Sequence, residues 1–93
     1  GSNFSGVDLK DIVFTRGYSY NYADVTNLTN VDFSFADLSY HDLSHTILVG
    51  ANLSNSDLTE VNLTNANLEG AILDNAILTG ANLKCINHTI CNS

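Results

Sequence analysis

From Leu28 to Leu83 this chain places a leucine, or once a phenylalanine, at every fifth position: Leu28, Phe33, Leu38, Leu43, Leu48, Leu53, Leu58, Leu63, Leu68, Leu73, Leu78 and Leu83. Two residues before each stands a small or medium one: Thr26, Val31, Ala36, His41, Thr46, Ala51, Ser56, Val61, Ala66, Ala71, Ala76 and Ala81. The unit reads A-(N/D)-L-x-x, a tandem repeat. An earlier stretch keeps the same spacing, with Phe4 leading, Val7 before Leu9 and Ile12 before Phe14. A period of five fits neither regular element. In a strand an odd step puts successive leucines on opposite faces. In an α-helix five residues turn about 500°, which leaves consecutive leucines roughly 140° apart with no common stripe. All of them share an interior only if the chain turns a corner once per repeat and coils so that each leucine stacks on the leucine of the next coil. The period therefore demands a solenoid.

Composition narrows what such a solenoid can bind. The chain has 93 residues, enough for one domain, with ten acidic and three basic residues and a net charge of −7. Phosphate backbones are bound by clustered Lys and Arg, so no nucleic acid partner is expected. No apolar run reaches the roughly 18 residues of a membrane-spanning helix, and no membrane partner is expected either. The opening Gly1-Ser2 reads as a remnant of tag removal, which leaves a native signal peptide open.

The repeats of residues 26–83 resemble those of the pentapeptide repeat family. The resemblance implies a right-handed quadrilateral β-helix with four repeats, or twenty residues, per coil. It also implies that the leucine position and the small position two before it point inward, the other three outward. The interior ladders would then be Leu28-Leu48-Leu68, Phe33-Leu53-Leu73, Leu38-Leu58-Leu78 and Leu43-Leu63-Leu83. At about 4.8 Å per stacked strand, four to five coils give a rod about 22 Å tall. One domain is expected across 1–93: first repeats at 3–14, an irregular loop or bulge at 15–25, regular repeats at 26–84 and a C-terminal cap at 85–93. The irregular segment follows from arithmetic, since Phe14 and Leu28 are fourteen residues apart, not a multiple of five.

The family hosts very different roles, so the resemblance implies a fold and not an activity. The expectation is a non-catalytic structural or protein-interaction module with an unknown protein partner and no cofactor, because a rod filled with leucine has no pocket for a substrate. The alternative is a DNA-mimicking inhibitor of a DNA-binding protein such as a topoisomerase, since the family includes gyrase inhibitors that resemble the double helix. A duplex carries one charge per about 1.7 Å, so a rod of this height would need about thirteen, against a net seven here. Strand edges at both ends make end-to-end self-association a second expectation.

Candidate contact residues gather in the first half. Tyr18, Tyr20 and Tyr22 lie in the irregular segment, and Phe35 and Tyr40 occupy outward positions. They either cap the first coil or form an exposed patch for a partner. Asp37 and Asp57 fall on one face; short polar side chains at corners bond the turn backbone, and no catalytic carboxylate pair stands out. His41 fills an inward slot where the family prefers a small residue, and His45 points outward. The column Ser39-Thr59-Thr79 is too narrow for an ice-binding face. Five N-x-S/T sequons, at Asn3, Asn27, Asn52, Asn62 and Asn87, arise largely from the repeat itself. Cys85 and Cys91 flank His88, which stands where the next leucine is due. Three states are open: a disulfide closing a short loop over the last coil, two free thiols, or a Cys-x₂-His-x₂-Cys metal site with only three of the four ligands structural zinc takes. A disulfide would favour a periplasmic, lumenal or secreted location, and free thiols the cytoplasm.

Overall fold

Backbone pairing repeats every twenty residues. The computed structural model describes residues 2–6 and 26–91. Within them, isolated parallel bridges join Asp37 to Asp57 and Asp57 to Ile77, and likewise Asp42, Asn62 and Asn82. The other two columns are Asn27, Ile47, Asn67 and Ile86, and Asn3, Asp32, Asn52 and Ile72. Four columns of bridges make a four-sided solenoid. Each side with its corner is held by three hydrogen bonds per level: on one, Asn52 N–H donates to the Val31 carbonyl (2.9 Å), Phe33 N–H to the Asn52 carbonyl (2.8 Å) and Phe35 N–H to the Ser54 carbonyl (3.0 Å).

The corners explain the period. After each leucine the chain reverses through a turn in which the residue three on donates back, as Ala36 N–H does to the Phe33 carbonyl at 3.0 Å. The third residue of the turn takes a positive φ at every corner from Asn30 (59°) to Gly80 (69°). A left-handed third residue is the requirement of a type II turn, which suits Gly and Asn. The chain complies at Asn30, Gly50, Asn55, Asn65, Gly70, Asn75 and Gly80, and departs from it at Phe35, Tyr40, His45 and Glu60. At Gly80 freedom of φ is not the only need, because a Cβ there would meet the Glu60 carboxylate of the coil below.

The repeat's second position is explained by the same turn. Asp57 Oδ1 accepts both the Thr59 amide (3.0 Å) and the Thr59 hydroxyl (2.6 Å). Asn62 does the same for Thr64, and Asn52 for Ser54. Asn and Asp are therefore interchangeable as turn acceptors and differ here only in charge. At Asp32 the hydroxyl and amide of Ser34 hold the carboxyl below its ordinary value of 3.8.

Inside, Phe33, Leu38, Leu43, Leu48, Leu53, Leu58, Leu63 and Leu68 are fully buried. The small slots beside them are closed as well, with Thr46 and Ser56 each donating a hydroxyl to the carbonyl three residues back at 2.7 Å. His41 is buried and its Nδ1 lies 3.2 Å from the Ser39 carbonyl. At the N-terminal end Asn3 pairs with Asp32, and Phe4 stacks on Phe33 at a centroid distance of 5.5 Å. That link spans 29 residues, nine more than one coil. The same surplus separates Phe14 from Leu28 in sequence, fourteen residues against a repeat step of five. The expected irregular segment 15–25 and its tyrosines lie outside the described residues.

The C-terminal end is less closed: Leu73, Leu78 and Leu83 are only half-buried. The register there differs from the count that makes His88 the next leucine position. Asn67 pairs with Ile86, nineteen residues on, because the corner after Leu83 has one residue, Lys84, where the others have two. Dropping that residue shifts Cys85 into the inward slot, where it is buried, and carries the ladder one side further.

Core truncation should follow this gradient. Leu58→Ala is expected to cost about 2–5 kcal/mol in urea denaturation, and Leu78→Ala clearly less. Asp32 contributes in the opposite pH direction to a base: its lowered pKa means that its stabilisation is present above about 3.8 and is lost as pH falls through the lower folded value. Ser34→Ala should raise the Asp32 pKa in an NMR titration; an unchanged value would contradict the assignment.

Candidate interaction face

Both exposed aromatic side chains of the described region border the same side of the rod. Phe35 occupies the corner where the Asp37 side begins, and Tyr40 the corner where it ends. Phe35 is 65% exposed and Tyr40 76%. Between these corners run Asp37, Asp57 and Ile77, one per level, with Ile77 51% exposed. Glu60 stands one level above Tyr40 in the same corner column.

Folding alone does not ask for this arrangement. A left-handed φ costs an ordinary side chain about 1–2 kcal/mol relative to the right-handed region, and Phe35 (61°) and Tyr40 (62°) both adopt it. The neighbouring corner residue His45 (60°) does so too, while the levels above Phe35 use Asn55 and Asn75. Asp37 and Asp57 are turn acceptors like the asparagines, and Asn would serve that purpose without stacking two negative charges about 4.8 Å apart. Both Asp57 bonds go to Oδ1. No Lys or Arg occurs between residues 26 and 83, where seven carboxylates stand.

Of the contact residues expected from sequence, the structure brings Phe35, Tyr40, Asp37 and Asp57 to one side. Tyr18, Tyr20 and Tyr22 lie outside the described residues. Sequence reasoning missed Glu60 and Ile77. Adding twenty to Tyr40 and to Asp57 would have found them.

The second feature is the C-terminal clip. Cys85 and Cys91 form a disulfide with an S–S distance of 2.04 Å, so neither sulfur is free as a thiol or as a metal ligand. His88 Nε2 lies 2.9 Å from the Ala71 carbonyl and Nδ1 accepts the Ile90 amide at 3.3 Å, which makes Nε2 the donor. The imidazole thus stands in for the strand amide that a further coil would bring to Ala71. No cluster of three potential metal ligands occurs among the described residues.

Comparison with known proteins agrees with this geometry. The family model described as pentapeptide repeats matches eight copies over residues 26–65 and 56–87. A crystal structure of a pentapeptide repeat protein from the cyanobacterium Cyanothece 51142 superposes with a TM-score of 0.72 at 29% identity, covering 86% of this chain and 48% of that one. A pentapeptide repeat protein from Nostoc PCC 7120 is 31% identical, with 89% of this chain and 68% of that one covered, at a TM-score of 0.44. Another from Nostoc, described as involved in the regulation of heterocyst differentiation, is 27% identical, with 90% and 50% covered and a TM-score of 0.44. The chain spans about half the length of two of these three structures. None of the curated proteins matches it. The family model and the Cyanothece structure imply a right-handed quadrilateral β-helix.

Two outcomes follow. Phe35→Asn and Tyr40→Asn should each raise stability, by about 1 kcal/mol, because Asn tolerates the left-handed corner; thermal melts showing a loss would mean that the rings are folding elements. Alkylation without reductant should add no label to the native protein by intact mass, and two after reduction.

Proposed function

Because the chain belongs to the pentapeptide repeat family, we propose that it is a non-catalytic interaction module, a single unit over residues 1–93 of about four to five coils, that meets a protein partner through the Asp37 side. The observation that carries this reading is the placement of Phe35 and Tyr40, exposed at two corners where their backbone conformation opposes folding. Strain held at an exposed site is a mark of function. The interior supports the non-catalytic part, since its side chains fill the space that a substrate would need.

DNA mimicry is the second reading, favoured by the unbroken acidity of residues 26–83. It asks for about one charge per 1.7 Å of rod, more than the seven carboxylates of this stretch supply. Self-association through the C-terminal end is a further proposal, supported by the half-buried Leu73, Leu78 and Leu83 and by Ile72, 45% exposed. The disulfide supports residence in an oxidising compartment such as a lumen or periplasm.

Immobilised protein and its Phe35→Asn/Tyr40→Asn variant, each shown folded by circular dichroism, separate these readings when challenged with lysate of the source organism. The wild type should retain a protein that the variant does not; identical retained sets would contradict the proposal. Loss of gyrase supercoiling in the presence of excess chain would instead favour mimicry. A sedimentation mass equal to one chain at all concentrations would refute self-association.

A further inference from the structure

We propose that the Cys85–Cys91 disulfide is a redox latch on the C-terminal end: a dithiol reductant opens it, and residues 87–91 leave the rod while the coils beneath stay folded. Cys85 belongs to the solenoid. It fills an inward slot, and the next residue, Ile86, is tied to the coil below, its amide donating to the Ala66 carbonyl (2.9 Å) and its carbonyl accepting the Leu68 amide (3.1 Å). Cys91 belongs to the cap. Between the two cysteines the cap meets the body at few points: Asn87 Nδ2 donates to Asn67 Oδ1 (3.1 Å), His88 Nε2 donates to the Ala71 carbonyl (2.9 Å), and Ile90 packs on the core. The remaining cap bonds, from the Ile90 amide to His88 Nδ1 and from the Cys91 amide to the His88 carbonyl, are internal to it. A segment with so few contacts to the body opens locally once the covalent link is broken.

The interior accommodates the reduced state. Cys85 stands where the repeats before it carry Ala66, Ala71, Ala76 and Ala81, and a free cysteine packs as a small apolar side chain. Its Sγ lies 3.5 Å from the Leu83 carbonyl, which is an acceptor for the S–H that reduction creates. The two sulfurs are not equivalent targets, because Cys85 is buried and Cys91 is partly exposed. A thiolate of the reductant therefore attacks Cys91 Sγ; the S–S bond breaks, and Cys85 Sγ leaves with the electron pair and takes up a proton. The second thiolate of the reductant then attacks its own sulfur in the mixed disulfide and releases Cys91 as a thiol. The reductant ends as a disulfide, oxidised by two electrons. Departure of His88 frees the Ala71 carbonyl beside the Leu73 amide, which has no acceptor among the described residues. Together they form a strand edge, so, resting on the self-association reading, reduction tightens pairing with a second copy of the chain.

Amide exchange on the full chain, with and without dithiothreitol, reads the latch. The Ile90 and Cys91 amides should be protected in the oxidised protein and exchange about tenfold faster or more after reduction, with Leu58 unchanged. Protection kept at Ile90 would mean that packing alone holds the cap, and protection lost at Leu58 that reduction unfolds the rod; either result overturns the proposal. Cys85→Ala gives the slot the residue of the preceding repeats and should show the open cap without reductant, whereas a protected Ile90 in this variant would count against the latch. Brief treatment with glutathione followed by alkylation should leave glutathione on Cys91 and the alkyl group on Cys85, located by fragment-ion mass spectrometry; the reverse pattern contradicts the attack at Cys91. Sedimentation of the reduced chain, kept in dithiothreitol, should give a higher mass than the oxidised chain at equal concentration. If the cap opens and the mass does not rise, self-association at this edge has failed and the latch stands.

Discussion

A leucine that must lie on the leucine twenty residues away dictates nearly everything else in this molecule. Stacking copies of one side chain needs the backbone to return to the same place after each coil, and four equal corners achieve that with five residues per side. Each corner then imposes two local demands. The turn's third residue must accept a left-handed φ, met by Asn or Gly at most corners. Its amides need acceptors, met by the Asn or Asp before each leucine. The repeat A-(N/D)-L-x-x is thus a list of answers to one geometric problem, with the outward residues left over.

That division tells which outward residues are informative. A corner filled by Asn55 or Gly70 needs no explanation beyond folding, and Asn62 or Asn82 none beyond the turn. Phe35 and Tyr40 oppose the local preference, and Asp37 with Asp57 adds repulsion that Asn would avoid. These four, with Glu60 and Ile77, share one side of the rod. The two ends differ as well. Phe33, Leu38 and Leu43 of the first regular coil are sealed, whereas Leu73, Leu78 and Leu83 are half-covered and a histidine ring and a disulfide finish the structure.

Much of this was legible in the sequence because a period of five excludes both helix and sheet. The four ladders, the outward exposure of Phe35, Tyr40 and His45 and the burial of His41 follow once the family resemblance supplies four repeats per coil and the inward positions. The C-terminal register was not legible. A single omitted residue after Lys84 is invisible until pairing shows Ile86 beside Asn67, because Cys85 resembles neither the Ala it replaces nor a leucine. The left-handed backbone at Phe35 and Tyr40 was hidden for a related reason: a repeat written as x-x does not say that its last position has a conformational preference. Of the cysteine alternatives, sequence offered three, and only the geometry joining Cys85 to Cys91 separates them.

Amide hydrogen exchange tests the stacking directly, since residues at one repeat position differ only in whether a coil lies above them. Leu53, Leu58 and Leu63 donate to the carbonyls of Ile72, Ile77 and Asn82 at 2.7, 2.8 and 3.0 Å. Leu73, Leu78 and Leu83 occupy the same position on the last coil, and their amides have no acceptor among the described residues. The first three amides should exchange slowly and the last three rapidly. Equal protection of the two sets, or fast exchange at Leu53, Leu58 and Leu63, would contradict a chain that stacks on itself every twenty residues.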